Sequence, residues 1–308
     1  VPMSILHQIP TEAKIKRELK RIVFGQKLFC PHCGYSMVKK YNQRYHCPRC
    51  RKWFSFTSIT WLKGAKLPLQ TIWLLLWSWL NKVAIDQAQK LSGVSKVTVR
   101  RWYDKFREHL PDDQLFDLRL KGDIQIDEAY RGKKDKAYTI VGAKQVGTKN
   151  IAFQFLPKNS VDRKEAIDFL SEYVVPGSNL FSDGAAIYRG INNWWPVNHQ
   201  FERHNKFQFA LTSEIEGLWG NLFTLVRRMY HHVTAEKAPS ILKEFQLRFS
   251  RPEWFASPSR YLEISLTKLK TPKANLWIKF MKKISISETA YSPLISKLKL
   301  VMPVPSCL

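Results

Sequence analysis

Asp123-Ile-Gln-Ile-Asp127-Glu-Ala-Tyr130 opens with polar and apolar residues in alternation, the two-residue period of a strand with one buried face. Tyr138-Thr-Ile-Val-Gly142 repeats the pattern and Ile151-Ala-Phe-Gln-Phe-Leu156 follows, with Gly132 and Gly147 in the turns between them. Three strands in quick succession are expected. After them the pattern predicts a helix over residues 162–173, a short strand at 179–182 behind Pro176-Gly177, a strand at 199–203 and a long helix from about Ser213 to Tyr230. The segment 113–250 therefore reads as an α/β domain.

Upstream, Pro111-Asp112-Asp113 interrupts a helical, tryptophan-rich stretch that runs from Leu67 to Leu110, and marks a domain boundary. Residues 1–25 read as a basic N-terminal helix, with Ile15, Leu19 and Ile22 at helical spacing. Residues 26–60 carry cysteines and aromatics in short strands and knuckles, and 61–112 are helical. Beyond Phe249 the pattern decays into a basic, proline-interrupted tail, residues 251–308, which receives no assignment. The whole is expected to be a multidomain α+β protein.

Charge narrows the partner. Fifty Lys and Arg against 25 Asp and Glu leave +25 over 308 residues, spread along the chain. Such an excess repels itself in a compact state and calls for a polyanion. Nucleic acid is the favoured partner on charge, narrowed to double-stranded DNA only by the motifs below, and a merely basic or ribosome-associated protein is the plainer alternative. A membrane span is not expected, because Leu67–Leu80 is broken by Pro68, Gln70, Thr71 and Ser78 and falls short of the roughly 20 residues a bilayer needs. The early charges of Glu12-Ala-Lys-Ile-Lys16 argue against a secretory leader. A cytoplasmic, nucleoid-associated protein is expected.

Four of the five cysteines form Cys30-Pro-His-Cys33 and Cys47-Pro-Arg-Cys50. Two residues between thiolates let one tight turn offer both sulfurs to one ion, and two such turns complete a tetrahedron around a single structural Zn2+. His32 and His46 are bystanders, and Cys307 is a lone thiol. Lys39, Lys40, Arg44, Arg49, Arg51, Lys52 and Trp53 suit a ribbon lying on a phosphate backbone, although zinc ribbons also serve as protein–protein modules.

The run Asp86 to Trp102 reads as helix, turn, helix, with Gly93 in the turn and Ser95 as N-cap. Val99, Trp102 and Phe106 make a buried line. Ser95, Thr98, Arg101 and Lys105 then face outward, with Lys96 and Arg100 beside them, as major-groove reading requires. An ordinary helical hairpin with a solvated face is the competing account. Trp73, Trp77 and Trp79 are expected in the core.

Three acids stand out. Asp127 closes the first strand, Asp183 follows a later one in Phe181-Ser-Asp-Gly184, and Glu216 lies early on the long helix beside its apolar face of Ile215, Leu218, Trp219, Leu222, Val226 and Met229. One acid on a helix packed against a sheet with two would gather three carboxylates around two Mg2+ or Mn2+ ions, the requirement of two-metal phosphoryl transfer. Glu128, Glu202 and Glu214 compete with them and are expected as surface or supporting charges. Lys133, Lys134, Lys136, Arg163 and Lys206 are candidates to hold phosphates near the site, and a solvated surface accounts equally well for any one of them.

With these pieces in place the chain resembles the zinc-ribbon DDE transposases of bacterial insertion sequences, the branch related to eukaryotic Merlin elements. The resemblance runs from about Phe29 to Ser250. It rests on Tyr45-His-Cys-Pro-Arg-Cys-Arg-Lys-Trp-Phe-Ser55, Ile124-Gln-Ile-Asp-Glu-Ala-Tyr130 with Gly132-Lys-Lys134, Ile140-Val-Gly-Ala143, Ser182-Asp-Gly184, Ile215-Glu-Gly-Leu-Trp219, Tyr230-His-His-Val233 and Glu244-Phe-Gln-Leu-Arg-Phe249. It implies an RNase H-like catalytic fold with Asp127, Asp183 and Glu216 as ligands of the two ions. It also implies metal-dependent cleavage at terminal inverted repeats, strand transfer into target DNA, and a homodimer or larger assembly on DNA. The family pattern usually has His-x-Asn where this chain has Leu211-Thr-Ser213, a basic residue where it has Phe223, and Arg-x-Asn where it has Arg248-Phe-Ser250. Arg227 and Arg228 are candidates for the displaced charge. The rival reading is a transposase-derived DNA-binding regulator with a weakened site.

Overall fold

The computed structural model describes residues 9–42, 44–111, 119–132, 136–201 and 212–266. The chain is mixed α+β with two sheets, and it divides into two compact units, Lys16–Lys66 with Leu266–Leu308 and Val1–Ile15 with Leu67–Ser265. Lys133, Lys134, Glu202, Lys206, Leu211, Cys307 and the tail beyond 266 lie outside the described residues. Among the described residues no helix is long and apolar enough to cross a membrane.

Helix α1 spans Glu12–Phe24. It begins just after Pro10, where the Thr11 hydroxyl accepts the Lys14 N–H at 3.4 Å, and residues 1–8 of the expected helix lie outside the described residues. In the smaller unit, strands β1 (Lys39–Tyr41), β2 (Arg44–His46) and β3 (Trp53–Phe54) form an antiparallel sheet in that order. Its core is aromatic. Tyr45 and Phe54 stack at 5.5 Å, and Phe24 meets Phe29 at 5.7 Å and Phe54 at 6.1 Å.

The larger unit begins with α2 (Leu69–Leu80), α3 (Ile85–Ser92) and α4 (Lys96–Glu108). Helix α2 is apolar on nearly every side and is buried accordingly, Trp73 and Trp79 included. Helix α3 stops at Gly93, whose φ of +70° is the left-handed conformation that favours glycine. Ser95 then caps α4 by accepting the Thr98 N–H at 3.2 Å. Val99, Trp102 and Phe106 are buried as the spacing foretold.

The main sheet has the order β6-β5-β4-β7-β8, with β4 (Asp123–Arg131), β5 (Tyr138–Gln145), β6 (Ile151–Leu156), β7 (Asn179–Ser182) and β8 (Asn198–Phe201). The first three make an antiparallel meander, β7 lies parallel to β4, and β8 parallel to β7. Helix α5 (Arg163–Tyr173) lies between β6 and β7 in sequence and opens with a reciprocal capping box between Asp162 and Glu165. Strand alternation separates two faces. Ile124, Ile126 and Leu180 join Phe169 and Leu170 in one core, while Gln125 turns the other way and accepts the N–H of Ile215 at 2.8 Å. Ile215 lies in α6 (Ser213–Met229), the long helix of the second face. Helices α7 (Ala238–Ser250) and α8 (Pro258–Ser265) follow; α8 comes from the segment the sequence left unassigned.

A buried charge cluster joins α4 to α7. Glu244, fully buried, accepts from Arg107 Nε at 2.9 Å, from Arg248 Nε at 2.8 Å and from the Tyr230 hydroxyl at 2.7 Å. Arg248 continues to the last carbonyls of α2, Trp79 at 2.7 Å and Leu80 at 3.0 Å, where a cation also suits the helix dipole. Tyr261 of α8 donates to the Phe106 carbonyl of α4 at 2.7 Å.

Candidate functional site

Asp127 lies in the middle of β4, not at the strand end its sequence suggests, and Asp183 lies just past the end of the parallel neighbour β7. The two strands pair from Asp123–Asn179 to Gln125–Phe181, with each acid two residues beyond the last pair, and the charges of both reach Glu128. Asp183 follows directly on β7, and its Oδ1 accepts the Ala185 N–H at 2.9 Å. Asp127 is held by a side chain of α6, since the indole N–H of Trp219 donates to its Oδ2 at 2.8 Å.

That bond needs the indole to lie close on the sheet, and Gly142 makes the room. Gly142 is the β5 partner of Asp127, and a Cβ added there would come within 2.6 Å of the Trp219 ring. Glu216 stands three residues before Trp219, so both lie on one side of α6. It is exposed, and it receives a hydrogen bond from the buried Thr212 hydroxyl at 3.3 Å. Its position in the first turn also favours a negative charge.

Of the two roles its sequence context allows, surface or supporting charge, Glu128 takes the supporting one. Its carboxyl receives the hydroxyl of the fully buried Tyr188. Burial pushes the Glu128 carboxyl up, to about 7; the Tyr188 hydrogen bond opposes this, and the charges of Asp127 and Asp183 add to it. All three acids therefore share one negative field. Glu214 has a different task, pairing with Lys144 and accepting the Gly147 N–H at 3.1 Å. Of the cations named for phosphate, Lys136 and Arg163 are described and exposed. Where the resemblance leads one to expect a base, Phe223 stands, and the guanidinium of Arg131 lies 3.4 Å from the centre of its ring. A positive charge at this point thus comes from β4, and Arg227 lines the same cavity as Arg131 and Phe223.

Among the described residues the four cysteines are the one group of three or more His, Cys, Asp or Glu whose ligand atoms all lie within 4.8 Å of one another. Cys30 and Cys50 sulfurs are 3.6 Å apart, and those of Cys33 and Cys47 are 3.5 Å apart. Tetrahedral zinc–sulfur bonds imply about 3.8 Å between sulfurs, so the cluster fits zinc. Asp127, Asp183 and Glu216 do not gather that tightly. A pair of ions about 3.5–4 Å apart does not require it, because each outer ligand then belongs to a different ion.

The candidate DNA-facing residues divide by partner. Lys39, Lys40, Arg44, Arg51, Lys52, Ser95, Arg100 and Arg101 are exposed; Thr98 and Lys105 are half-buried. Lys96 is paired with Asp86 of α3. The roles of Trp219, Tyr188 and Arg131 escaped the sequence reading. Only Trp219 left a signal, its three-residue offset from Glu216.

Residues 119–250, from the approach to β4 to the end of α7, match the family of the ISXO2-like transposase domain. That match, over less than half of the chain, supports a DDE transposase of insertion sequences, in agreement with the resemblance read from its motifs. No curated protein matches the chain. Among solved structures it is similar to the cryo-EM structure of a simian T-cell lymphotropic virus intasome in complex with PP2A regulatory subunit B56 gamma, at 12% identity over 60% of this chain and 75% of that one, with a TM-score of 0.32. So loose a likeness carries no argument.

Proposed function

We propose that the protein binds the terminal inverted repeats of its own element and cuts and joins DNA there by in-line phosphoryl transfer. The observation that supports this best is the hydrogen bond from the Trp219 indole to Asp127, made by the helix that also carries Glu216, with Asp183 just past the end of the strand parallel to that of Asp127. On this reading residues 113–250 form an RNase H-like catalytic domain. Residues 26–60 form a zinc ribbon, 61–112 a helix-turn-helix domain, 1–25 a basic leading helix and 251–308 a basic tail.

Each acid arrives already oriented: Asp127 by the Trp219 indole, Asp183 by the Ala185 N–H, and Glu216 by the Thr212 hydroxyl. Their hard oxygens suit Mg2+ or Mn2+. Two such ions, when bound, would activate the attacking oxygen and stabilise the leaving one. Glu128 lends its charge to the same field and stays tied to Tyr188. Arg100 and Arg101, exposed on α4, and the cations of the ribbon hold the duplex. Two element ends must be held at once, so a dimer or larger assembly on DNA is expected.

Purified protein given Mg2+ and its element ends should join strands. Asp127→Ala should abolish joining and leave end binding within about twofold, as expected for a residue that contributes only in the transition state. Wild-type protein that binds ends and never joins them would instead favour a transposase-derived regulator.

A further inference from the structure

The small sheet of the cysteine-bearing unit has two aromatic faces, and only one of them is core. Tyr45 and Phe54 point inward and are buried. The cross-strand pairs Lys39–His46, Tyr41–Arg44 and His46–Trp53 put Lys39, Tyr41, Arg44, His46 and Trp53 together on the opposite face. There the rings of His46 and Trp53 approach to 4.8 Å, Tyr41 and Trp53 to 5.3 Å, and Tyr41 and His46 to 6.4 Å. The Arg44 guanidinium lies 5.7 Å from the centre of the Trp53 ring. Tyr41 and Trp53 nevertheless remain 49% and 47% exposed.

Cross-strand packing explains why these rings touch, but it does not explain why they are left half open to water. The buried cluster on the other side already supplies the core. The surroundings point to what covers them. Lys39 and Arg44 lie exposed on this face, Lys40, Arg51 and Lys52 are exposed on the segments that border it in sequence, and no Asp or Glu occurs between Glu18 and Asp86. Rings interleaved with cations on an open sheet are the requirement for stacking unpaired bases while neutralising their phosphates.

We propose that this face of the ribbon is a binding site for single-stranded DNA, with unpaired bases stacked on Trp53 and Tyr41 and phosphates held by Lys39 and Arg44. This goes beyond duplex recognition by phosphate contacts, which needs no exposed rings.

The test compares two labelled strands of equal charge on the full, zinc-loaded chain by fluorescence anisotropy: an oligothymidylate of about a dozen nucleotides and an abasic strand of the same length. The wild type should prefer the thymidylate by about tenfold or more, stacking being the difference between the strands. Tyr41→Leu/Trp53→Leu should erase the preference while binding of the abasic strand stays unchanged, and Trp53→Phe should keep most of it. Equal wild-type affinity for the two strands overturns the proposal, as does a preference that survives in the double variant. If the double variant loses its zinc, photocrosslinking of wild-type protein to a 5-iodouracil strand decides: adducts on the peptide with Tyr41 or Trp53 support the site, and adducts only elsewhere overturn it. None of these readouts depends on strand joining, so Asp127→Ala should retain the preference even where the transposase reading fails.

Discussion

Replacing Glu244 by Leu removes the one carboxylate that two buried guanidiniums share. Arg107 and Arg248 have side chains only 3% and 5% exposed, and both bond Glu244 through Nε, at 2.9 and 2.8 Å. Without it Arg107 keeps Asp104 and Arg248 keeps the carbonyls of Trp79 and Leu80, so neither is stranded completely. Removing one partner of a buried ion pair costs about 3–5 kcal/mol. For a unit of this size each kcal/mol moves the melting temperature by about 2–4 °C, so a fall of about 6–20 °C is expected. Glu244→Gln keeps the shape and some of the hydrogen bonds and should cost about half as much.

The pH dependence has a definite sign. Burial alone would raise the Glu244 pKa, but the charges of Arg248 and Arg107, helped by the Tyr230 hydroxyl, hold it below the usual carboxylate range. A depressed folded pKa gives stability that is fully present above the unfolded value of about 4.3 and is lost as pH falls through the folded one. Wild type should lose stability over that acid window more steeply than Glu244→Gln. Urea melts at neutral pH and down through that window measure both effects. A loss below about 1 kcal/mol for Glu244→Leu, or equal acid slopes for wild type and Glu244→Gln, would refute the argument.

Two further predictions concern the separate sites. Trp219→Phe removes the indole donor to Asp127 while keeping a ring over Gly142, so strand joining should fall by about tenfold, one lost hydrogen bond to a charged group, with end binding unchanged; unaltered joining rates would deny the clamp. Stripping zinc with a chelator, or Cys47→Ser, should unfold the smaller sheet and weaken end binding, because the four sulfurs hold the two knuckles together; circular dichroism and anisotropy that do not change would leave the cluster without that structural role.

How far the sequence was legible follows the range of the physics involved. Strands β6 and β7 and helix α6 were readable within a residue or two, because alternation and helical spacing are local, whereas β4 and β5 run several residues past the ends expected at Asp127 and Gly142. The Ser95 cap and the Gly93 turn were readable for the same reason. The cysteine cluster was readable since its spacing nearly dictates its geometry. The side chains that orient the acids were not. Tyr188 reaches Glu128 across 60 positions, and Arg107 reaches Glu244 across 137. Glu244 and Arg248 stood out in the sequence only as parts of a motif, and nothing near them announced a partner from α4. Arg131 was hidden likewise, since only folding lays it over Phe223.

The Glu244 cluster also sets a length scale. Helix α4 and the three acids belong to one compact unit, and the buried Arg107–Glu244 ion pair ties α4 to α7 within it. If α4 lies in a major groove, the span from the bases it reads to the phosphate it delivers is built into the protein like the gap of a caliper. Adding about half a helical turn of base pairs between them would swing the scissile bond to the far side of the duplex.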